Sequence, residues 1–324
     1  MTRIVLVALV AWASLLAMAK DQAPASPSLP QIKMTTYVAG IIRKGPNWLA
    51  GDSYSWFAAV GLKIEGESPA STDDARAHIA NIVSQIRRAD YQGDRAALKT
   101  LNAELTPFLE NPSLARSARY WRGFALWRRA INGFNDNVDP TEQKEDLQLS
   151  LAEFESAAEV DPTAAEPRIG ALSCVSLLAF SVHETDPARV KQWIDKGSHL
   201  RKDLEATAPE NPRYWWVVGP NLWYTPAERG GGQARAMASY EKGLKTIRKR
   251  PTAVVDPLDA SWGEPELLMN LAWSNLNRET PDLDAAEAYA NQALARAPEW
   301  HYVRDILLPQ IQTARKKFKP AGIK

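Results

Sequence analysis

The sequence has one cysteine and four histidines among its 324 residues. Cys174 cannot form an internal disulfide, and its apolar neighbours (residues 171–180) favour a small buried side chain over a reactive thiol. The sequence contains neither of two motifs of metal sites, H-E-x-x-H and C-x-x-C. Its four histidines are scattered, at His78, His183, His199 and His301. We therefore predict no catalytic set, no metal and no cofactor, and expect a protein that binds rather than catalyses.

Neither charge sign is in surplus, because 39 basic residues face 38 acidic ones. A protein that binds nucleic acid through its phosphates needs a basic excess, so we expect no nucleic acid as partner. Beyond the N-terminal run, the sequence also lacks an apolar stretch of about 20 residues, the length that crosses a bilayer. We expect no integral span in the mature chain.

The N-terminus has the pattern of a secretory signal peptide. Arg3 precedes an apolar run over residues 4–16, and Ala17 and Ala19 occupy the small-residue positions of a cleavage site. This predicts a signal peptide over residues 1–19 and a periplasmic or secreted protein. An uncleaved anchor is the alternative.

Three further regions follow from composition and periodicity. Residues 20–32 read as a flexible linker that contains three prolines, and residues 33–67 as a small β-like segment rich in β-branched and aromatic residues. Residues 71–319 show apolar positions at helical spacing and Asp-Pro or Asn-Pro pairs that suit helix starts. We predict about eleven helices there.

Several of these helices share a recurring pattern of small and large residues. A large residue or alanine, a small residue and a later proline recur in the predicted second helices, at Phe154, Ala157 and Pro162; Ala286, Ala290, Ala293 and Pro298; and Ala236, Tyr240, Gly243 and Pro251. The predicted first helices carry Gly123 and Gly219. This pattern resembles the tetratricopeptide repeat, and it implies an all-α helical-repeat solenoid of stacked helix pairs.

A narrower resemblance lies in three segments of the repeat region. NPRYWWVVGP (211–220), the glycine run with the following helix (230–243), and WHYVRDILLP (300–309) are similar to the periplasmic T component of TRAP-type transporters. The likeness covers about residues 94–318. It implies a helical scaffold that binds a protein partner or a small apolar ligand. The lipid-anchor cysteine of many such proteins is absent.

The segments YVAGIIRKGPNW (37–48) and AHIANI (77–82) resemble the start of a YCII-related domain. The matching residues are Arg43, Gly45, Pro46, Trp48 and His78. The resemblance implies an alternative function, an enzyme that uses His78 as acid or base. The family's second Gly-Pro and its following strands cannot be found, which leaves the copy truncated.

Twelve tryptophans are many for this length, and several crowd one predicted helix. Trp215 and Trp216 point about 100° apart on a helix, so they serve different surfaces. We assign Trp215 to the repeat core and expect Trp216 and Trp223 to be partly exposed in a groove. The candidate ligand- or partner-binding residues are Trp216, Trp223, Tyr224 and Arg229. The alternative role for these tryptophans is to fill irregular gaps between divergent repeats. The alternative function for the whole protein is that of a purely structural envelope protein.

Overall fold

The computed structural model describes residues 72–249 and 256–318. The predicted signal peptide, linker and β-like segment lie outside the described residues, as do Arg43, Gly45, Pro46 and Trp48. Eleven α-helices make up most of the described chain. They are α1 (Thr72–Gln92), α2 (Arg95–Glu104), α3 (Ala115–Asn135), α4 (Pro140–Val160), α5 (Ala165–Ser181), α6 (Pro187–Thr207), α7 (Pro212–Tyr224), α8 (Gln233–Lys249), α9 (Glu264–Asn277), α10 (Leu283–Arg296) and α11 (Leu308–Phe318).

Three short helical turns join these elements: Thr106–Glu110, Ala227–Arg229 and the π-helical Tyr302–Leu307. No strand occurs within the described ranges. The helices pack in pairs that are adjacent in sequence, α3 with α4, α5 with α6, α7 with α8, and α9 with α10. The prediction of an all-α helical-repeat fold is confirmed.

Capping side chains set the starts of three helices. Asp139, Asp186 and Asn211 each precede a proline at the first helical position, and each side chain accepts a backbone N–H of the first turn. Proline loses nothing there, because the N–H that it lacks would have no partner within the helix. The sequence-based boundaries at these prolines are therefore confirmed.

Glycines allow the two helices of a pair to approach closely. A Cβ at Gly219 of α7 would lie 2.0 Å from Cε1 of Tyr240 in α8, and one at Gly123 of α3 would lie 2.9 Å from Cδ1 of Phe154 in α4. Both aromatic rings are buried. The large residue of each second helix therefore occupies the space that a side chain on the first helix would need, as the recurring pattern predicts.

Residues 256–263, the described part of the segment between α8 and α9, pack into the helical array. We call these residues the inner strap. Its Trp262 is 2% exposed and donates from Nε1 to the Tyr120 hydroxyl at 2.8 Å. The Trp121 Nε1 donates to the Leu258 carbonyl at 2.8 Å. The strap is thereby tied to α3, although more than a hundred residues separate them in sequence.

Arg213 of α7 fixes the other side of the inner strap. Its Nε donates to the Trp262 carbonyl at 2.8 Å, and its Nη2 donates to the Ala260 carbonyl. Its Nη1 pairs with Glu166 Oε1 at 2.8 Å. The strap therefore bridges the first helices of two pairs that are not neighbours in sequence, α3 and α7.

Candidate functional site: an aromatic cavity beside α7

A partly open cavity of about 230 Å³ lies against α7. Its wall comes mainly from the first helices of four successive pairs, α3, α5, α7 and α9, with Tyr240 of α8 and two residues that follow α10. Apolar surface predominates, and much of it is aromatic: Phe134, Phe180, Trp216, Tyr224, Trp273, Trp300 and Tyr302. Such a wall suits a flat apolar ligand.

Trp216 forms the buried end of this cavity and is 8% exposed. Its ring packs edge-to-face against Trp127 and Trp262, with ring centroids 5.7 Å and 5.4 Å apart. The Arg128 guanidinium lies 5.8 Å from the Trp216 ring centroid. The Trp216 Nε1 is buried and has no hydrogen-bond acceptor in the described part of the chain.

Tyr224 lies two helical turns further along α7 and is partly exposed. Its hydroxyl is buried, and no residue among 72–249 and 256–318 pairs with it. Burial raises the pKa of Tyr224, and the neighbouring Tyr302 raises it further. The hydroxyl therefore keeps its proton at neutral pH and remains a hydrogen-bond donor.

The positive charge of Arg128 in the cavity wall is neutralised by the buried Asp90 carboxylate. Arg128 is 2% exposed, and its Nε donates to Asp90 Oδ1 at 2.7 Å. Asn132 Nδ2 donates to the same oxygen at 3.2 Å. Burial raises the pKa of Asp90, against the opposing effect of Arg128. The ion pair leaves this wall with little net charge to attract an ionic ligand.

The structure separates the four candidate binding residues. Trp216 and Tyr224 line the cavity. Trp223 is 9% exposed and lies behind the lining, where its ring packs 5.2 Å from that of Trp273. Arg229 is exposed in the turn Ala227–Arg229 and is not part of the cavity wall. The predicted set is therefore not one surface.

The expected burial of the neighbouring tryptophans is wrong. Trp216 and Trp223 are buried rather than partly exposed, and it is Trp215 that is only half-buried. Trp215 Nε1 donates to the Pro209 carbonyl at 3.0 Å, and Lys242 Nζ lies 4.2 Å from its ring centroid. The reversal follows from the inner strap, because Trp262 packs on the face of α7 that carries Trp216.

Several cavity residues escaped the sequence reasoning. Trp127 and Ile131 lie four residues apart in an apolar stripe at helical spacing, and this pattern by itself indicates only a packed helix face. Arg128 beside it was a usable signal, since an arginine within an apolar stripe needs a buried partner. Trp273 and Asn270 of α9 gave no comparable signal.

The glycine run forms a packed turn between α7 and α8. Gly230 and Gly232 have φ of +86° and +101°, and a Cβ at Gly231 would lie 2.1 Å from the Thr225 carbonyl oxygen. The Gly232 N–H donates to the Leu222 carbonyl at 2.8 Å. The run therefore has a conformational role at the end of α7.

His78, the candidate of the enzyme alternative, is exposed on α1. Its ring packs edge-on against Phe108, with centroids 5.4 Å apart. Within residues 72–249 and 256–318, no three His, Cys, Asp or Glu side chains are arranged to hold a metal ion. None of the helices in these ranges is long and apolar enough to span a membrane.

A second cavity of about 290 Å³ shares no lining residue with the first. It lies beside the inner strap and is more polar, with Arg116, Glu166, Arg213 and Asp259 in its wall. Three of these four charged groups already have ion-pair partners: Arg213 pairs with Glu166, and Arg116 pairs with Asp161 outside the wall. The aromatic cavity is the better-defined candidate site.

Comparison with known proteins gives little. No family model matches the chain, and no curated protein matches it. Among solved structures the chain is similar to the HusA haemophore from Porphyromonas gingivalis, at 18% sequence identity and a TM-score of 0.47. The match covers 67% of this chain and 100% of that one. At this identity and TM-score the likeness does not indicate a shared site or function.

Proposed function

We propose that the protein is an exported helical-repeat binding protein of the tetratricopeptide kind, which takes a small, flat, largely apolar ligand into the aromatic cavity. The observation that carries the proposal is the wall of that cavity. Helices from four successive pairs contribute aromatic rings to it, together with side-chain amides such as those of Asn135, Asn221 and Asn270. These groups bind by stacking and hydrogen bonding, and so favour binding over chemical conversion.

The volume of the cavity limits the size of the ligand. An engineered apolar cavity of ~150 Å³ holds benzene. Sites for drug-sized molecules typically span about 300–1,000 Å³. At about 230 Å³, the aromatic cavity has room for a ligand of one or two rings, unless its open side widens.

A small ligand fits these observations better than a protein partner. An extended partner would need the surface of the first helices, and the inner strap already lies against α3 and α7 there. The close contacts of Gly123 with Phe154 and of Gly219 with Tyr240 support the tetratricopeptide assignment. Residues 1–19 support export, and N-terminal sequencing of secreted protein should then begin at Lys20.

Titration calorimetry with flat aromatics of one and two rings, benzene and naphthalene, tests the proposal. The variant Ser176→Phe places a ring into the cavity from α5 and should abolish saturable binding. Ser198→Phe on α6 is the matched control, because Ser198 is exposed and outside the lining. Equal binding by both variants, or no binding by the parent protein, would contradict the proposal.

A further inference from the structure

Two buried hydrogen-bond donors of the cavity lining are unpaired within the described chain. Trp216 Nε1 is the deeper one, on a side chain more than nine-tenths buried. The Tyr224 hydroxyl is the other. By contrast, Trp121, Trp127 and Trp262 each donate to an oxygen within 3.1 Å. Arg87 Nε and Ser274 Oγ are also buried without a partner in the described chain, but of these groups only Trp216 Nε1 and the Tyr224 hydroxyl belong to residues that line the aromatic cavity.

We propose that the ligand of the aromatic cavity is uncharged and carries two hydrogen-bond acceptors, one for Trp216 Nε1 and one for the Tyr224 hydroxyl. The inference rests on the proposed function, since it specifies the chemistry of the ligand in the same cavity. Indole N–H groups only donate, so Trp216 requires an acceptor from its ligand.

The unpaired donors favour a ligand that carries acceptors, because burial has removed the hydrogen bonds that these donors would make to water. A buried donor has given up its water and regains that interaction only from a partner. A neutral hydrogen bond of this kind is worth roughly a 10-fold change in affinity. A ligand with acceptors at both positions should therefore bind more tightly than an apolar ligand of the same shape.

The ion pair in the wall excludes a charged ligand. Arg128 is already neutralised by Asp90, and Asn132 donates to the same carboxylate. The buried Glu266 lies close enough to raise the pKa of Asp90 further. A carboxylate ligand would be desolvated without a free cation to pair with it, and an ammonium would find the Asp90 carboxylate already paired with Arg128.

The spacing of the donors fixes the shape of the ligand. Trp216 and Tyr224 are eight residues apart on α7, which is about 12 Å along a helix axis. Both residues line the same cavity, so both donors belong to one binding site. The two acceptors should therefore lie at opposite ends of the ligand, with the aromatic rings between them.

Three naphthalene probes of nearly equal shape test the inference by calorimetry. The first carries acetyl groups at its opposite ends, the second replaces both ketones by isopropenyl groups, and the third carries two carboxylates. We expect the diketone to bind about 100-fold more tightly than the diene, which cannot accept, from about 10-fold at each donor. The dicarboxylate should bind more weakly than the diketone.

Two variants assign the preference to the named donors. Tyr224→Phe and Trp216→Phe should each reduce the preference for the diketone about 10-fold, with little change for the diene in the case of Tyr224→Phe. The matched controls are Tyr289→Phe on α10 and Trp215→Phe, since neither residue lines the cavity. Both controls should keep the full preference.

The outcomes separate the two proposals. If none of the probes nor any aromatic of the size series binds, the proposed function fails. If diketone and diene bind equally, or the dicarboxylate binds most tightly, the cavity binds aromatics but the inference about acceptors and charge is wrong. An unchanged preference in both Tyr224→Phe and Trp216→Phe also overturns it.

Discussion

Arg213 donates from Nε to the carbonyl oxygen of Trp262 at 2.8 Å and lies 5.5 Å from the centre of that indole ring. The guanidinium is 4% exposed and also pairs with Glu166. One side chain thus holds the backbone of the inner strap against α7 and covers the tryptophan that packs against Trp216.

Arg213→Met should therefore destabilise the protein. Breaking a buried ion pair costs about 3–5 kcal/mol, and we expect the lower end because Glu166 keeps some exposure to water. Arg201→Met is the control: its pair with Glu205 is exposed and is worth about 1 kcal/mol or less. Urea denaturation of both variants measures the difference, and equal losses would show that Arg213 does not anchor the strap.

Two glycine-to-alanine changes should have opposite effects on stability. In Gly219→Ala the new methyl group collides with the Tyr240 ring, so we expect a loss of about 1–3 kcal/mol. In Gly197→Ala on α6 the nearest atom, Cγ1 of Val175, is 3.4 Å away, which is an ordinary contact. Alanine should there stabilise the helix by about 0.5–1 kcal/mol.

Thermal unfolding measures this pair directly. The melting temperature should fall for Gly219→Ala and rise for Gly197→Ala. The double variant Gly219→Ala/Tyr240→Leu should recover part of the loss, because leucine leaves more room for the methyl group. A stabilising Gly219→Ala would refute the close contact between α7 and α8.

Trp216→Ala should destabilise the protein more than Trp215→Ala. Removing a buried aromatic side chain typically costs about 3–5 kcal/mol, and Trp216 packs against Trp127 and Trp262. Trp215 is half-buried, so its loss should be smaller. The free energy of unfolding of both variants decides the matter, and the opposite order would restore the assignment made from the sequence.

Cys174 should be unreactive in the folded protein. It is fully buried, and burial raises the pKa of its thiol to about 12 from an ordinary value of 9.0. A thiol-specific reagent at pH 8 should modify it only after unfolding, because the thiolate is the reactive form. Rapid modification of the native protein would show that this part of α5 opens.

The raised pKa of the Cys174 thiol also makes the stability of the protein depend on pH. The folded state holds the thiol proton more tightly than the unfolded state does. The contribution is therefore fully present below pH 9.0 and is lost as the pH rises towards 12. Cys174→Ser should unfold with a weaker pH dependence over that interval.

Local signals in the sequence are sufficient to predict the helices and their pairing. Asp139, Asp186 and Asn211 marked helix starts because a cap acts on the next few residues. Phe154 followed by Ala157 and Pro162 shows the recurring order of a large residue, a small residue and a proline, and this order predicts that Phe154 packs between helices. Both features depend on neighbours in sequence or on a repeated pattern, and both can be read without coordinates.

The cavity could be predicted only in part. The sequence indicates Trp216 and Tyr224 as binding residues, but the burial of Trp216 depends on Trp262, which comes from a distant part of the chain. The residues that compensate charge, Arg128 and Asp90, lie on different helices, α3 and α1, and no local pattern relates them. Contacts of this kind are decided by packing between distant segments.

The inner strap changes how this repeat array should unfold. In a simple array each unit touches only its neighbours, so the ends can open while the middle persists. Here Trp262 is bonded to Tyr120, 142 residues away, and Trp121 to Leu258, 137 residues away. These long-range bonds couple α3 to α7 and raise the contact order of the array, which slows folding. Backbone amide hydrogens in α3 and α7 should therefore exchange with deuterium together, in one cooperative unfolding step. Only the amides of the terminal helices should exchange earlier.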